Sequence, residues 1–234
     1  MEFDLHIHTR YSFDCRMKPE KIIRVAKARG LAGIGVVDHN SLEGALETER
    51  IAAGRLIVIP GIEVGTMMGD IIGFFIREPI TVRDPFEVIE AIHAQGGVVV
   101  LPHPFRGRMA IPLKLAERVD VIEGYNARST DVAVLHPSKG EEAVVKVAEA
   151  HGKPTVAGSD AHFYWEIGRA RTIIPASTPE EVRGAILDGN TLLVGRRTPF
   201  LWSLLSGMLR LVRGGGGRRH RPKDDPAGET KKGA

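Results

Sequence analysis

DLHIHTRYSFD, residues 4–14, carries two histidines separated by one isoleucine, then an aspartate six residues past the second. Phe3, Leu5 and Ile7 alternate with Asp4, His6 and His8, a period of two that predicts a β-strand. On such a strand His6 and His8 point to the same side. Two imidazoles side by side at a strand end are either hydrogen-bonded core groups or a donor pair for a cation. The rest of the chain decides between them.

Eight further apolar runs follow: GIGVVDH, LIVIPGIEV, IIGFFI, GVVVLPHP, VDVIEGYN, PTVAGSDAH, ARTIIP and TLLVG. Segments with helical periodicity separate them. Pro19 to Arg29 turns Ile22, Ile23, Val25 and Ala26 to one side and stops at Gly30. Asp84-Pro85 opens a second helix with a cap and a first-turn proline, ending at Gly96-Gly97. Lys139 to His151 and Thr178 to Leu187 are two more. Val/Ile-rich runs alternating with helices mark parallel strands covered by helices, and this number of units predicts an α/β barrel rather than an open sheet. IIGFFI, directly after IEVGTMMGD, reads as a hairpin set into that rhythm.

In a parallel barrel the active site lies at the C-terminal strand ends. The runs deliver ionisable groups there repeatedly: His6, His8 and then Asp14 from the first, Asp38-His39 from the second, Glu63 from the third. His103 follows in LPHP, Glu123 with Asn126 in VDVIEGYN, and Asp160 with His162 in GSDAH. A single histidine at a strand end is commonly a satisfied core residue. Recurrence at strand after strand argues otherwise, because so many buried ionisable groups need a cation to neutralise them. Imidazole and carboxylate donors without thiolate suit Zn²⁺, Mn²⁺ or Fe²⁺. The donors outnumber what one ion takes, so two or three ions are expected. His93, His136 and His151 read as structural or surface groups, Cys15 as a small buried thiol, and Met67-Met68 as packing at a loop tip.

HxH on the first strand, VDH on the second, GIE, LPHP and GSDAH, in that order, resemble the PHP (polymerase and histidinol phosphatase) family over residues 1–195. The resemblance implies a distorted seven-stranded, TIM-like (β/α) barrel with up to three ions. It assigns His6, His8, Glu63 and Asp160 to a first ion. Glu63 bridges to a second, shared with His103 and Glu123, and Asp14, His39 and His162 hold a third. Many members carry histidine where Glu123 stands, which leaves the donor there as Glu123, a water held by Asn126, or none. GIGVVDHNSLEG and IEGYNAR look most like the branch of predicted phosphoesterases with 5′ nucleases and nucleotide phosphatases. The implied activity is hydrolysis of nucleotides or of the 5′ ends of short oligonucleotides, in the manner of a 5′–3′ exonuclease, by a hydroxide bridging two ions. Asp160 or His162 would shuttle the proton. Histidinol-phosphate phosphatase and a non-catalytic PHP-like module of a nucleic-acid complex are the rivals. No GxSxG and no GxxxxGK[ST] competes.

Phosphate also needs fixed cations. Arg106, Arg108, Arg128, Arg169, Arg196 and Arg197 all follow rim segments. Arg106 and Arg128, with Asn126, are the expected substrate contacts.

Charge divides the chain. From Arg196 onward there are ten basic and three acidic side chains, against twenty-two and twenty-six before it. The barrel is thus mildly acidic, without a nucleic-acid-binding face on charge alone. Residues 198–213 predict an amphipathic helix, and 214–234, Gly-rich and charged, a disordered basic tail. That end is a candidate for peripheral membrane or nucleic-acid contact. Cys15 is the only cysteine, no secretory signal precedes the first strand, and no apolar run approaches the roughly 20 residues of a spanning helix. A reducing cytoplasm is the expected location.

Overall fold

The computed structural model describes residues 1–105, 113–128 and 137–199, with the backbone alone over 137–141. Every apolar run is a strand: β1 (Glu2–Ile7), β2 (Gly33–His39), β3 (Ile57–Thr66), β4 (Gly69–Phe74), β5 (Val98–Leu101), β6 (Val121–Asn126), β7 (Thr155–Gly158), β8 (Ala170–Ile173) and β9 (Leu192–Gly195). The helices are α1 (Pro19–Ala28), α2 (Glu43–Ala52), α3 (Pro85–His93), α4 (Leu113–Arg118), α5 (Pro137–Ala150) and α6 (Pro179–Leu187).

The caps explain where helices start. Asp84 accepts from the backbone N–H of Phe86 and Glu87, ahead of Pro85 at the first turn of α3. Thr178 and Glu181 exchange hydrogen bonds in a capping box at α6. Helices α2 and α4 carry weaker signals. The buried face of α2 is Gly44, Ala45, Thr48 and Ala52, without large apolar residues, and Leu42 makes no side-chain cap. Gly44 is required there, since a Cβ would fall 2.0 Å from Asp38 Oδ2 and 2.3 Å from Thr9 Oγ1.

Strands β1, β2 and β3 pair in parallel; β3, β4 and β5 pair antiparallel; β5, β6 and β7 return to parallel. The expected hairpin is therefore β3–β4. Beyond β7 the chain bridges back to β1: His8 N–H donates to Ala161 O at 3.0 Å and Ala161 N–H to His6 O at 3.2 Å. That bridge closes β1 to β7 into a distorted seven-stranded barrel. Strands β8 and β9 extend the sheet antiparallel along the lower half of β1. The expected helix over 198–213 and tail over 214–234 lie outside the described residues, apart from Thr198 and Pro199.

Side-chain alternation sorts the core. Phe3, Leu5, Val37, Ile59, Ile72, Phe74, Val98, Val100, Val121 and Val156 fill the barrel, with Val182 and Ile186 of α6 packed on them. Ile34, Val36, Val58, Ile62, Val99 and Ile122 face outward to Ile22, Ala26, Val88, Ile92 and Leu115 of the helices. Each large apolar side chain so buried contributes about 1.5–3 kcal/mol.

Strict alternation fails on β1 in one place. A register shift between Asp4 and Ile7 marks a bulge. Phe3 and Leu5 lie in the inner cluster and Ile7 in the outer one. His6 and His8 therefore share the barrel interior with Leu5, an arrangement a plain period of two would forbid. A second shift on β6, between Glu123 and Tyr125, places both Glu123 and Asn126 toward the site.

Candidate metal centre

The rows of inward side chains run from apolar to ionisable at one end of the barrel. Val37 leads to His39, Ile59 and Gly61 to Glu63, Val121 to Glu123, and Val156 and Gly158 to Asp160. His103 stands just past β5. Two of these groups sit on backbone with positive φ, His103 at 26° and Asp160 at 54°, conformations that cost of order 1–3 kcal/mol for a residue bearing a Cβ. Gly158 has no Cβ because His6 occupies that space: a methyl there would come within 2.3 Å of His6 Cβ.

Four donor atoms converge. His6 Nε2 lies 3.2 Å from His8 Nε2, 3.8 Å from Glu63 Oε2 and 3.7 Å from Asp160 Oδ1. His8 Nε2 lies 3.5 Å from the same Glu63 oxygen and 3.3 Å from the same Asp160 oxygen. These separations average about 3.5 Å. Among them the His6, His8 and Asp160 atoms form a triangle with sides of 3.2–3.7 Å, close enough for one ion at an ordinary bond length of about 2.1 Å to reach all three.

Two flanking groups complete the centre. Glu63 Oε1 is 2.9 Å from His103 Nε2, and His6, Glu63 and His103 can share an ion. On the other side Asp14 Oδ2 lies 3.2 Å from His162 Nε2 and 3.5 Å from His39 Nε2. His8, His39 and His162 form a third convergent set.

The hydrogen bonds behind the histidines fix their tautomers. Ser12 Oγ spends its proton on Asp38 Oδ1 at 2.7 Å, so at 3.1 Å it accepts from His8 Nδ1–H. Glu123 Oε1 accepts from His6 Nδ1–H at 2.9 Å, and the carbonyl of Asp160 from His162 Nδ1–H at 2.9 Å. Each ring then presents its Nε2 lone pair to the centre, as a metal ligand must. Glu63 Oε2 and His39 Nε2 are buried with no hydrogen bond of good geometry, although other donors crowd within 3.0–3.5 Å. Atoms that approach so closely without bonding one another are aimed at a common point between them.

Electrostatics agree. Burial and the charges of His162 and His39 push His8 well below its usual pKa, leaving it neutral. Burial opposes a charge on His39, but Glu63 and Asp14 outweigh it and lift the ring to about 10. Glu63, although buried, is held well below the carboxylate range by the His39 ring, by the bond from His103 and by the nearby His6. Burial likewise works against ionised Asp14, which His162 and His39 overcome. Protons on the imidazoles occupy the place that a divalent cation fills better.

The structure thus brings together His6, His8, Asp14, His39, Glu63, His103, Asp160 and His162. Glu123 stands behind them. Its Oε1 is bonded to His6, and its Oε2 accepts from His103 N–H at 2.8 Å and from the Asn126 amide at 2.9 Å. Asn126 Oδ1 accepts from Arg128 N–H at 3.0 Å. Arg128 is buried, with its guanidinium 3.5 Å from Asp160 O and 3.9 Å from Glu166 Oε2. Asp38 faces away from the centre and pins the 9–12 loop. Arg169 Nη1 donates to Arg197 O, and Arg196 is exposed. Arg106, Arg108 and His136 lie outside the described residues. His93 pairs with Asp120 at the surface, Cys15 is buried, and Met67 is a largely exposed loop tip.

Asp70 was not anticipated. It lies 4.0 Å from His103 Nε2, where β4 reaches the rim. Because β4 runs antiparallel, its rim residue is at its N-terminal end, and the alternation Phe74, Ile72, Asp70 was the available signal. Ser12 and Glu166 were also missed; Glu166 is fully buried and accepts from the backbone N–H of His162 and Phe163.

Comparison with known proteins adds kinship. The family model of the PHP domain matches residues 4–97, and the PHP-associated model matches 142–191. Two uncharacterized proteins of Methanocaldococcus jannaschii are similar to this chain. One is 39% identical over 118 residues, covering 45% of this chain and 68% of the relative. The other is 30% identical over 174 residues, covering 73% and 69%. Among solved structures, a two-domain protein of Bacteroides vulgatus containing a predicted PHP-like metal-dependent phosphoesterase superposes with a TM-score of 0.68 at 17% identity. The match covers 84% of this chain and 65% of that one, just under two thirds of its length. At that identity the likeness is one of fold.

Proposed function

The chain belongs to the PHP family, and from that premise we propose that it is a metal-dependent hydrolase of phosphate esters, acting on nucleotides or on the 5′ ends of short oligonucleotides. The observation that carries the reading is the crowding of donor atoms of His6, His8, Glu63 and Asp160, each imidazole within 3.8 Å of both carboxylates, with Glu63 extending to His103 and His39. Two or three ions are proposed, held by His6, His8, Glu63 and Asp160; by Glu63 and His103; and by Asp14, His39 and His162. Zn²⁺, Mn²⁺ and Fe²⁺ suit these donors. Divalent ions so held supply an ionised water near neutral pH and neutralise charge on a phosphoryl group.

The protein's own groups do the rest. Ser12, Glu123 and the Asp160 carbonyl hold His8, His6 and His162 in the tautomer that exposes Nε2. Glu123 also grips the backbone beyond β5, tying His103 to His6 through one carboxylate. Arg128 sets a guanidinium beside Asp160, where a two-point clamp on a phosphate oxygen would lie. Asp160 and His162 are the rim groups in reach to carry a proton to the leaving oxygen. The lone buried thiol of Cys15 suits the cytoplasm, the location we assign. Among the described residues no helix is long and apolar enough to cross a membrane.

Phosphate release from metal-loaded protein tests this. The panel is nucleoside mono- and bisphosphates, short 5′-phosphorylated RNA and histidinol phosphate, with elemental analysis of the same sample. Turnover of the nucleotides or RNA, abolished together with metal content in His8→Ala, is expected. Preference for histidinol phosphate would move the substrate class. Metal binding without turnover of any ester would leave a non-catalytic module.

A further inference from the structure

Four arginines from three separate elements meet around one turn. The turn, Trp165 to Gly168, follows the ligand His162 and leads into β8. Arg29, at the end of α1, donates from Nη1 to Trp165 O at 3.1 Å and also to Ile167 O. Arg171 of β8 donates from Nε to Gly168 O at 2.8 Å and from Nη1 to Glu2. Arg169 stands between the turn and β8, and its carbonyl accepts from Arg196 N–H at 2.8 Å as the chain leaves β9. Gly168, at a φ of 72°, lets a guanidinium lie against the turn: a Cβ there would be 3.3 Å from Arg171 Nη2. Burial and the charges of Arg169, Arg196 and Arg171 push Arg29 below its ordinary pKa, so Arg29 feels the other three.

Like charges so grouped repel one another, and little neutralises them. Among the described residues only Glu2 forms an ion pair with any of the four. Before Arg196 the chain holds twenty-six acidic and twenty-two basic side chains, so a positive patch here runs against the barrel's own charge. Donors are left over as well. Arg169 donates from Nη1 to Arg197 O at 3.1 Å, while its Nε is buried without a partner. The Nη2 groups of Arg29, Arg169 and Arg171 make no hydrogen bond among the described residues, and Arg196 is exposed. A polyanion relieves such repulsion, and guanidinium forks with spare N–H groups match phosphate oxygens.

We infer that Arg29, Arg169, Arg171 and Arg196 seat the phosphodiester backbone of a single-stranded nucleic acid whose terminal phosphate lies at the metal centre; this rests on the phosphoesterase reading above. His162 and Arg169 are seven positions apart, at most about 25 Å of chain, so a short oligonucleotide reaches from one to the other. Backbone contacts carry no base information, so recognition is independent of sequence. The seat makes an oligonucleotide a better ligand than a mononucleotide.

The test follows the fluorescence anisotropy of a labelled dodecathymidylate with hydrolysis-resistant phosphorothioate linkages, titrated with the Mn²⁺-loaded full chain across a potassium chloride series. Arg196→Gln should make the slope of log Kd against log salt shallower by about 0.7, and the triple variant Arg29→Gln, Arg171→Gln, Arg196→Gln by about 2. Lysine at the same three positions should keep the wild-type slope. Unchanged slopes in both glutamine proteins, or an equal loss in the lysine protein, would overturn the inference. So would arginine-dependent binding of phosphatidylserine vesicles with no change in the oligonucleotide slope, which would give the patch to a membrane surface. Phosphate release from an unmodified 5′-phosphorylated strand is measured separately. Absent turnover with the expected slopes removes the phosphoesterase reading alone, and turnover with unaltered slopes removes this inference alone.

Discussion

Replacing Gly158 with alanine tests the closure of the barrel and the metal centre at once. The added methyl would lie 2.3 Å from His6 Cβ, 2.8 Å from Glu123 Oε1 and 2.9 Å from His6 N. Carbon atoms in contact normally sit about 3.5–4.0 Å apart, so β7 must leave β1 by more than about 1 Å. Backbone and Cβ atoms cannot swing aside as a flexible side-chain end would. The strain is about 1–3 kcal/mol, or roughly 2–4 °C in Tm for each kcal/mol in a chain of this size. The functional effect is larger. His6 stands on one side of the gap and Asp160, two residues past Gly158, on the other. A ligand set tolerates only about 0.2 Å of error, and a misplacement of about 1 Å at a reacting centre costs on the order of 100-fold in rate. Metal content by elemental analysis, phosphate release and thermal melting give the three readouts. Gly184→Ala is the control: nothing lies within 4 Å of its added methyl, and in α6 it should stabilise by about 0.5–1 kcal/mol. A Gly158→Ala protein with wild-type metal content and turnover would refute the claim that the His6–Gly158 contact sets the ligand geometry.

Other perturbations follow from the same contacts. Glu123→Gln keeps the shape but weakens the grip on His6 Nδ1, and should lower metal affinity by about 10- to 100-fold in a competition titration without unfolding the protein. Chelation should lower Tm, reversibly on adding Zn²⁺ or Mn²⁺; at an ion concentration 1,000 times Kd the difference is about 4 kcal/mol. Asp4, fully buried, is raised to about 6 by burial, which outweighs the bonds it accepts from Ser159, Gly168 and His6. A raised folded-state pKa means a contribution that is full below the unfolded value of 3.8 and lost as pH rises through 6. The stability difference between wild type and Asp4→Asn should therefore move against wild type by about 2 kcal/mol between pH 4 and 6.5, read by denaturant melts; a pH-independent difference would contradict it.

How much was legible beforehand varies with the physics involved. The nine strands were legible because Val/Ile runs bounded by glycine, proline and polar turns have few other uses. Helices α1, α3, α5 and α6 carried large apolar stripes or caps, whereas α2 packs through Gly44, Ala45 and Ala52 and looked polar. The ligands at the C-terminal strand ends could be named from position. Asp70 could not, because its strand runs the other way and its relevant end is the N-terminal one. Glu123 was placed among the donors by its strand-end position and by the family resemblance, and only the three hydrogen bonds it accepts show it braced behind His6 and His103.

Local chemistry in the chain determined the element types, the barrel class and the list of donors, since alternation, caps and residue type act over a few neighbours. The folded arrangement decided what spans many residues: the bulges that turn His6, His8 and Asn126 inward, the closure of β7 on β1, and the partners that set each imidazole's proton. Those depend on contacts between groups more than a hundred positions apart, such as His6 with Glu123 and Asp14 with His162, and no local pattern encodes a distance across the barrel.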